Sequence, residues 1–242
     1  MSILNGHMLS ISALCYSGNG RLLLSGSREG SLRLWEVENS RCLDCMTIPR
    51  MIITDAIWHP DPAEADTVFV AAAEDLKVRL WDRRMELSQP AWTLPVGTHI
   101  PRCLEIRQNT IYAGCQAING IGGGVYAWDL RRMPEDKPLW QCCAGESIRH
   151  LSTSPIASWI YASSDSRIVP IDPVTGECAP ASWILDQLPS TISATALDSQ
   201  AQPQDDKHCD MLLAGFNSGG VALWRQKDGQ WCKVLETQGQ MD

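Results

Sequence analysis

Five histidines, ten cysteines and a run of glycines are the residues of this 242-residue chain with the most chemistry to offer. His7, His59, His99, His150 and His208 are spread along the chain, and none stands in a His-Glu-x-x-His pair that would hold zinc beside a general base. Cys42 and Cys45 form one Cys-x-x-Cys, but no second pair follows at zinc-finger spacing, so no metal is expected there. Cys15, Cys103 and Cys115 sit in apolar runs, as reduced core thiols do. Gly120–Gly124 is glycine-rich but lacks the Lys and the following helix of a phosphate cradle. No Gly-x-Ser-x-Gly elbow is present, and the acids Asp205 and Asp206 fall in a polar stretch. No catalytic residue and no cofactor is therefore expected, and the chain reads as a non-enzyme.

The elements that carry these residues show a period. Leu32-Arg-Leu-Trp35-Glu36 recurs as Val78-Arg-Leu-Trp81-Asp82, Val125-Tyr-Ala-Trp128-Asp129 and Val221-Ala-Leu-Trp224-Arg225, with a degenerate copy at Ile168-Val-Pro-Ile171-Asp172. The anchors lie 46, 47, 43 and 53 residues apart. Around the first, the runs Ile11–Tyr16, Leu22–Ser25, Leu32–Glu36 and Cys42–Ile48 are short, apolar and bounded by Gly, Asn, Ser or Pro, which predicts four strands joined by tight turns. Ten Trp against two Phe fits the same picture, because an indole fills space between sheets and brings one N–H donor. Five units follow, roughly 6–48, 49–95, 96–144, 145–187 and 188–236, in one all-β domain spanning 1–242.

Six residues before each anchor, in the turn between second and third strands, stand Glu29, Asp75, Gly122, Asp165 and Ser218. With His7 after Gly6, these place a polar relay in the first unit: His7, Ser25, Glu29 and Trp35. Asp75, Trp81, Trp128, Asp165 and Trp224 are the corresponding members of later units. Asp61–Asp66, Arg131–Pro138 and Ser199–Asp210 exceed the repeat and are expected to be solvated loops.

The pattern Gly6-His7, Trp35-Glu36, Trp81-Asp82, Trp128-Asp129 and Trp224-Arg225 resembles the WD-repeat family of β-propellers over nearly the whole chain. The resemblance implies four-stranded blades around a channel and a scaffold that docks proteins. Five units are fewer than the usual ring, so an incomplete propeller is expected, with pairing to further blades or another chain; closure as a five-bladed ring is the alternative. Ser2–Leu4 would then be an outer strand of a preceding blade. Leu22–Arg28, Glu74–Arg83 and Asn119–Gly124 resemble one branch of the family associated with cilia, intraflagellar transport and its cargo-adaptor complex. A cytoplasmic or ciliary location follows from that branch.

By alignment, Met8, Leu9, Arg28, Arg50, Met51, His99, Arg102, Arg149 and His150 gather at one channel mouth, a basic protein-binding surface suited to an acidic peptide. Phe69–Arg84 also resembles the box of cullin-4 ubiquitin-ligase substrate receptors, which implies adaptor contacts by Asp82 and Arg84, repeated at Asp129 and Arg131. Nucleic acid is not an expected partner, since 20 basic residues face 28 acidic ones for a net charge of −8. The longest purely apolar stretch, Val68–Ala73, is far below a membrane span, so no membrane insertion is expected.

Overall fold

The structure is a computed structural model; it describes residues 3–116, 118, 122–132, 137–143, 145–153, 159–185, 188, 191–201, 208–227 and 230–237. Asn119–Ile121 of the glycine run, residues 133–136 of the Arg131–Pro138 segment and residues 202–207 of the Ser199–Asp210 segment lie outside the described residues.

Strand follows strand in five antiparallel meanders. The first sheet holds β1 (Ile11–Tyr16), β2 (Leu22–Ser27), β3 (Ser31–Glu36) and β4 (Arg41–Thr47). The second holds β5 (Ile53–Trp58), β6 (Val68–Ala73), β7 (Lys77–Asp82) and β8 (Trp92–Pro95). The third holds β9 (Ile100–Arg107), β10 (Thr110–Gln116), β11 (Gly124–Asp129) and β12 (Trp140–Cys143). The fourth has β13 (His150–Ser152), β14 (Ile160–Ser163) and β15 (Ile168–Ile171). The fifth has β16 (Ile192–Ala201), β17 (His208–Phe216), β18 (Val221–Lys227) and β19 (Gln230–Thr237).

The first strands of successive sheets touch one another, β1 to β5, β5 to β9, β9 to β13 and β13 to β16, so they form the hub. The core lies between sheets rather than within one. Leu24, Leu32 and Leu34 of the first sheet meet Ile53, Phe69 and Trp81 of the second, and all of these are almost wholly buried. Val70 and Leu80 meet Ile111 and Trp128 in the same way, and two further clusters join the third sheet to the fourth and the fourth to the fifth. Each such side chain contributes about 1.5–3 kcal/mol by leaving water, so the inter-sheet contacts dominate the stability. Among the described clusters, none joins the fifth sheet to the first.

The turn between second and third strands needs a left-handed residue. Gly30 supplies it with φ +85°, and a Cβ there would strike the carbonyls of Ile48 and Met51. Leu76 holds the same place in the second sheet at φ +64°, a strained choice for a side-chain-bearing residue.

Three expectations need correction. The fourth sheet has three strands among the described residues; Cys178 and Leu185 each make one isolated bridge to β15 where a fourth strand would run. Ser199–Asp210 is not a loop throughout, because β16 and β17 stay paired as far as Ala201 and His208. Backbone pairing does not require apolar side chains, so the polar flanks simply extend the hairpin. Ile3 and Leu4 form no strand.

Candidate functional site

At the first turn the relay is a continuous hydrogen-bonded chain. The indole N–H of Trp35 donates to Ser25 Oγ at 2.8 Å. Ser25 Oγ lies 2.6 Å from His7 Nε2, and His7 Nδ1 donates to Glu29 Oε1 at 2.9 Å. The backbone N–H of Met8 closes the far end on Glu29 Oε2 at 2.7 Å. Hydrogen bonds from Ser31 and then from His7 hold the Glu29 carboxyl down at about 2. Every member thus satisfies its neighbour, and the chain pins the segment before β1 to the β2–β3 turn.

The other units do not repeat this chemistry. In the strand register, Ser25 opposite Arg33 corresponds to Ala71 opposite Arg79, Ala113 opposite Tyr126, Ala162 opposite Val169 and Ala214 opposite Ala222. The hydroxyl that receives the indole proton is therefore absent after the first unit. Trp81 and Trp128 keep their rings stacked on Phe69 and Tyr126, but their indole nitrogens are buried without a partner among the described residues. Trp224 is buried edge-on against Phe216. Asp75 binds not a histidine but Arg79, in a two-point ion pair. Asp165 is half exposed and holds Arg149.

His99 is the residue most misjudged from sequence. Placed at the mouth surface by alignment, it is buried at 6% exposure. Its Nε2 donates to the Gly122 carbonyl at 3.0 Å, and the Tyr126 hydroxyl donates to its Nδ1 at 2.8 Å. It stands 29 residues before Trp128, as His7 stands 28 before Trp35, so it braces the third turn through a carbonyl in place of an acid.

The channel mouth is a polar cavity of about 580 Å³ lined by Thr54, Arg102, Arg149, His150, Asp165, Thr191, Ile192 and Asn217. Arg102 is tethered to Gln116 at 2.6 Å and approaches Glu74 at 3.5 Å, while Arg149 meets Asp165 at 2.9 Å. Of the predicted surface, Arg102, Arg149 and His150 converge on this cavity. Arg28 and Arg50 are exposed outside its lining, as are Met8 and Leu9. Met51 instead packs on the core between the first and second sheets.

Below the mouth, two hub strands carry acids that the sequence did not flag. Asp55 on β5 accepts the N–H of Leu104 on β9 at 2.7 Å and that of Ala56 at 2.8 Å. Burial lifts its carboxyl to about 6. Glu105 on β9 is pushed up to about 7, first by burial and then by the Asp55 charge, and receives the Thr153 hydroxyl at 3.4 Å. The charged residue within the short run Ile53–Trp58 was the available signal.

On the second and third sheets, two guanidiniums fold back on the acids two residues earlier. Arg84 Nε and Nη2 donate to Asp82 at 2.8–3.0 Å, and Arg131 does the same to Asp129 at 2.8–3.0 Å. These bonds lower both aspartates from the ordinary range. The arginines remain 58% and 71% exposed.

Ribosome biogenesis protein BOP1 of Homo sapiens is 37% identical over 73 residues, which cover 30% of this chain and 9% of that protein. Eukaryotic translation initiation factor 3 subunit I of Schizosaccharomyces pombe is 26% identical over 187 residues, covering 72% of this chain and 54% of that one. The chain therefore spans less than two thirds of either relative. A chain in the crystal structure of the mitotic checkpoint complex superposes with a TM-score of 0.76 at 15% identity, over 98% of this chain and 67% of that one. Residues 1–36 match the family model of the WD domain, G-beta repeat, the segment that holds the His7–Ser25–Glu29–Trp35 chain. The fold is that of a WD-repeat β-propeller, in keeping with the repeat matched at residues 1–36 and with the superposed chain.

Proposed function

We propose that the chain is a non-catalytic docking scaffold whose partner, an acidic peptide segment of another protein, seats at the channel mouth. The observation that carries this reading is the meeting of Arg102, Arg149 and His150, from the third and fourth sheets, on one open polar cavity. Arg149 is half exposed and Arg102 about a third, and both are bound to acceptors that an incoming carboxylate can replace.

A second docking point has its own support. Arg84 and Arg131 are exposed, fixed by their own aspartates and carried by neighbouring sheets, so they present two pre-oriented guanidiniums. An adaptor carboxylate of a cullin-4 ubiquitin ligase is the occupant implied by the resemblance of Phe69–Arg84. The cellular setting is the finest part of the reading. Leu22–Arg28 and Glu74–Arg83 resemble WD repeat-containing protein 31, which supports a cytoplasmic or ciliary role in intraflagellar transport. The names of the relatives support ribosome biogenesis or translation initiation instead.

One capture experiment addresses all of these. The full chain is used as bait in lysate beside two variants, Arg102→Glu/Arg149→Glu and Arg84→Glu/Arg131→Glu. Loss of captured proteins with the first variant alone is expected of mouth docking; an unchanged set overturns it. Loss of the ligase adaptor with the second is expected of the other surface, and its absence from the wild-type capture removes that reading. The identities of the proteins captured sort the ciliary setting from the ribosomal one.

A further inference from the structure

The third and fourth sheets meet at the outer rim through a clasp that the docking function does not use. Cys142 on β12 is buried in the apolar cluster shared by the two sheets, beside Val125 and Ile171. Cys178 lies after β15, is exposed, and has its backbone held opposite Ile171 by an isolated antiparallel bridge. The two sulfurs are 3.2 Å apart.

The segment between β15 and Cys178 is ordered against the third sheet. The Trp140 indole donates to the Pro173 carbonyl at 3.1 Å, and the Tyr112 hydroxyl donates to the same oxygen at 3.4 Å. Gly176, at φ +74°, lies flat on the Trp140 ring; a Cβ there would come within 2.6 Å of it. Asp172 accepts the N–H groups of Val174 and Thr175 at 2.7 and 2.9 Å and so shapes the return. The approach of the two thiols is therefore built by three separate contacts between the sheets. The thiols are also unlike each other. Burial, then the bond to Cys178, pushes Cys142 up to about 12, whereas Cys178 faces solvent.

We propose that Cys142 and Cys178 form a redox-modification site, closed to an intramolecular disulfide by a small-molecule disulfide of the glutathione class. The exposed Cys178 reacts first. Its thiol loses a proton, and the thiolate attacks one sulfur of the small disulfide. The S–S bond breaks, and one small thiolate leaves and takes up a proton. Cys142 then gives up its proton and attacks the Cys178 sulfur, expelling the second small molecule as its thiol. One small disulfide is consumed, two small thiols are released, and the protein loses two hydrogens. The order follows from access, since an incoming disulfide reaches only the exposed sulfur. The product ties β12 to the return after β15 and fastens the three-stranded sheet to its neighbour.

The test treats the folded full chain with oxidised glutathione and maps peptides without reduction. The expected result is a linked Cys142–Cys178 peptide, with recovery of both of its thiols by dithiothreitol, beside simple glutathione adducts at other exposed cysteines such as Cys45. Cys178→Ser abolishes the link. Cys143→Ser, which changes the exposed next residue on β12, preserves it. Oxidation also raises the thermal midpoint of the wild type and leaves that of Cys178→Ser unchanged. A lasting glutathione adduct on Cys178, a link through Cys143, or no loss of thiols overturns the proposal.

Discussion

Ser25 shows how much a single hydroxyl decides. It takes the Trp35 proton and faces His7, so Ser25→Ala leaves one buried indole N–H and one imidazole nitrogen unpartnered. An orphaned buried polar group costs ~1–3 kcal/mol. Urea unfolding of Ser25→Ala is expected to show a loss of that size, whereas Ser88→Ala, at an exposed serine outside the relay, stays near wild type. Equal midpoints for the two variants would deny the relay its structural weight. The four members were legible from Gly6-His7 and the Trp spacing because the anchor and the turn position six residues before it recur at a fixed offset. His99 was not, because Thr98 rather than a glycine stands immediately before it and its partner is the Gly122 carbonyl, which every residue type possesses. Asp75 was legible as a turn acid, yet its partner, Arg79, was visible only once the strand register was known.

At the scale of the element, the hub strands carry a pH dependence. Asp55 rises from 3.8 to about 6 and Glu105 from 4.5 to about 7 on folding. A raised carboxyl binds its proton more tightly in the folded state. Stability from these groups is thus present below about pH 4 and lost as pH climbs through their folded values. Their loss by pH 8 is on the order of 2–3 kcal/mol for a two-unit shift at one site. Glu105→Gln, which keeps an acceptor for Thr153 but cannot ionise, is expected to gain stability over wild type at pH 8 and to match it near pH 4.5. Urea midpoints across that range check it, and parallel curves for the two proteins would contradict it. The strand order itself could be read from four-to-seven-residue apolar runs. That β5 and β9 lie side by side could not, because the contact joins residues 49 apart through the Asp55–Leu104 bond.

For the whole molecule, the inter-sheet core leaves two faces without a sheet across from them among the described residues. Ile11, Leu14 and Tyr16 on β1 are 55–59% exposed, and Val234 and Leu235 on β19 are 55% and 52% exposed. Apolar groups in solvent at sheet margins promote self-association. The double variant Leu14→Lys/Leu235→Lys is expected to scatter less light at high protein concentration than wild type, with an unchanged thermal midpoint. Equal scattering would show that these faces are inert. The five-unit period and the anchors made this layout readable from sequence, while the isolated bridges that replace a fourth strand in the fourth sheet among the described residues follow from Pro173, Gly176 and Pro180, which interrupt that stretch. The turn braces have one more consequence. His7 with Glu29, Arg79 with Asp75, and His99 with the Gly122 carbonyl close three successive turns by three different pairings. A newly made chain of similar repeats is prone to fold one repeat's strand into another's place. A segment delivered to the wrong unit here would leave a turn without its partner, because the second turn's acid is held by a guanidinium of its own third strand, whereas the first and third turns are held by a histidine from the segment before the first strand.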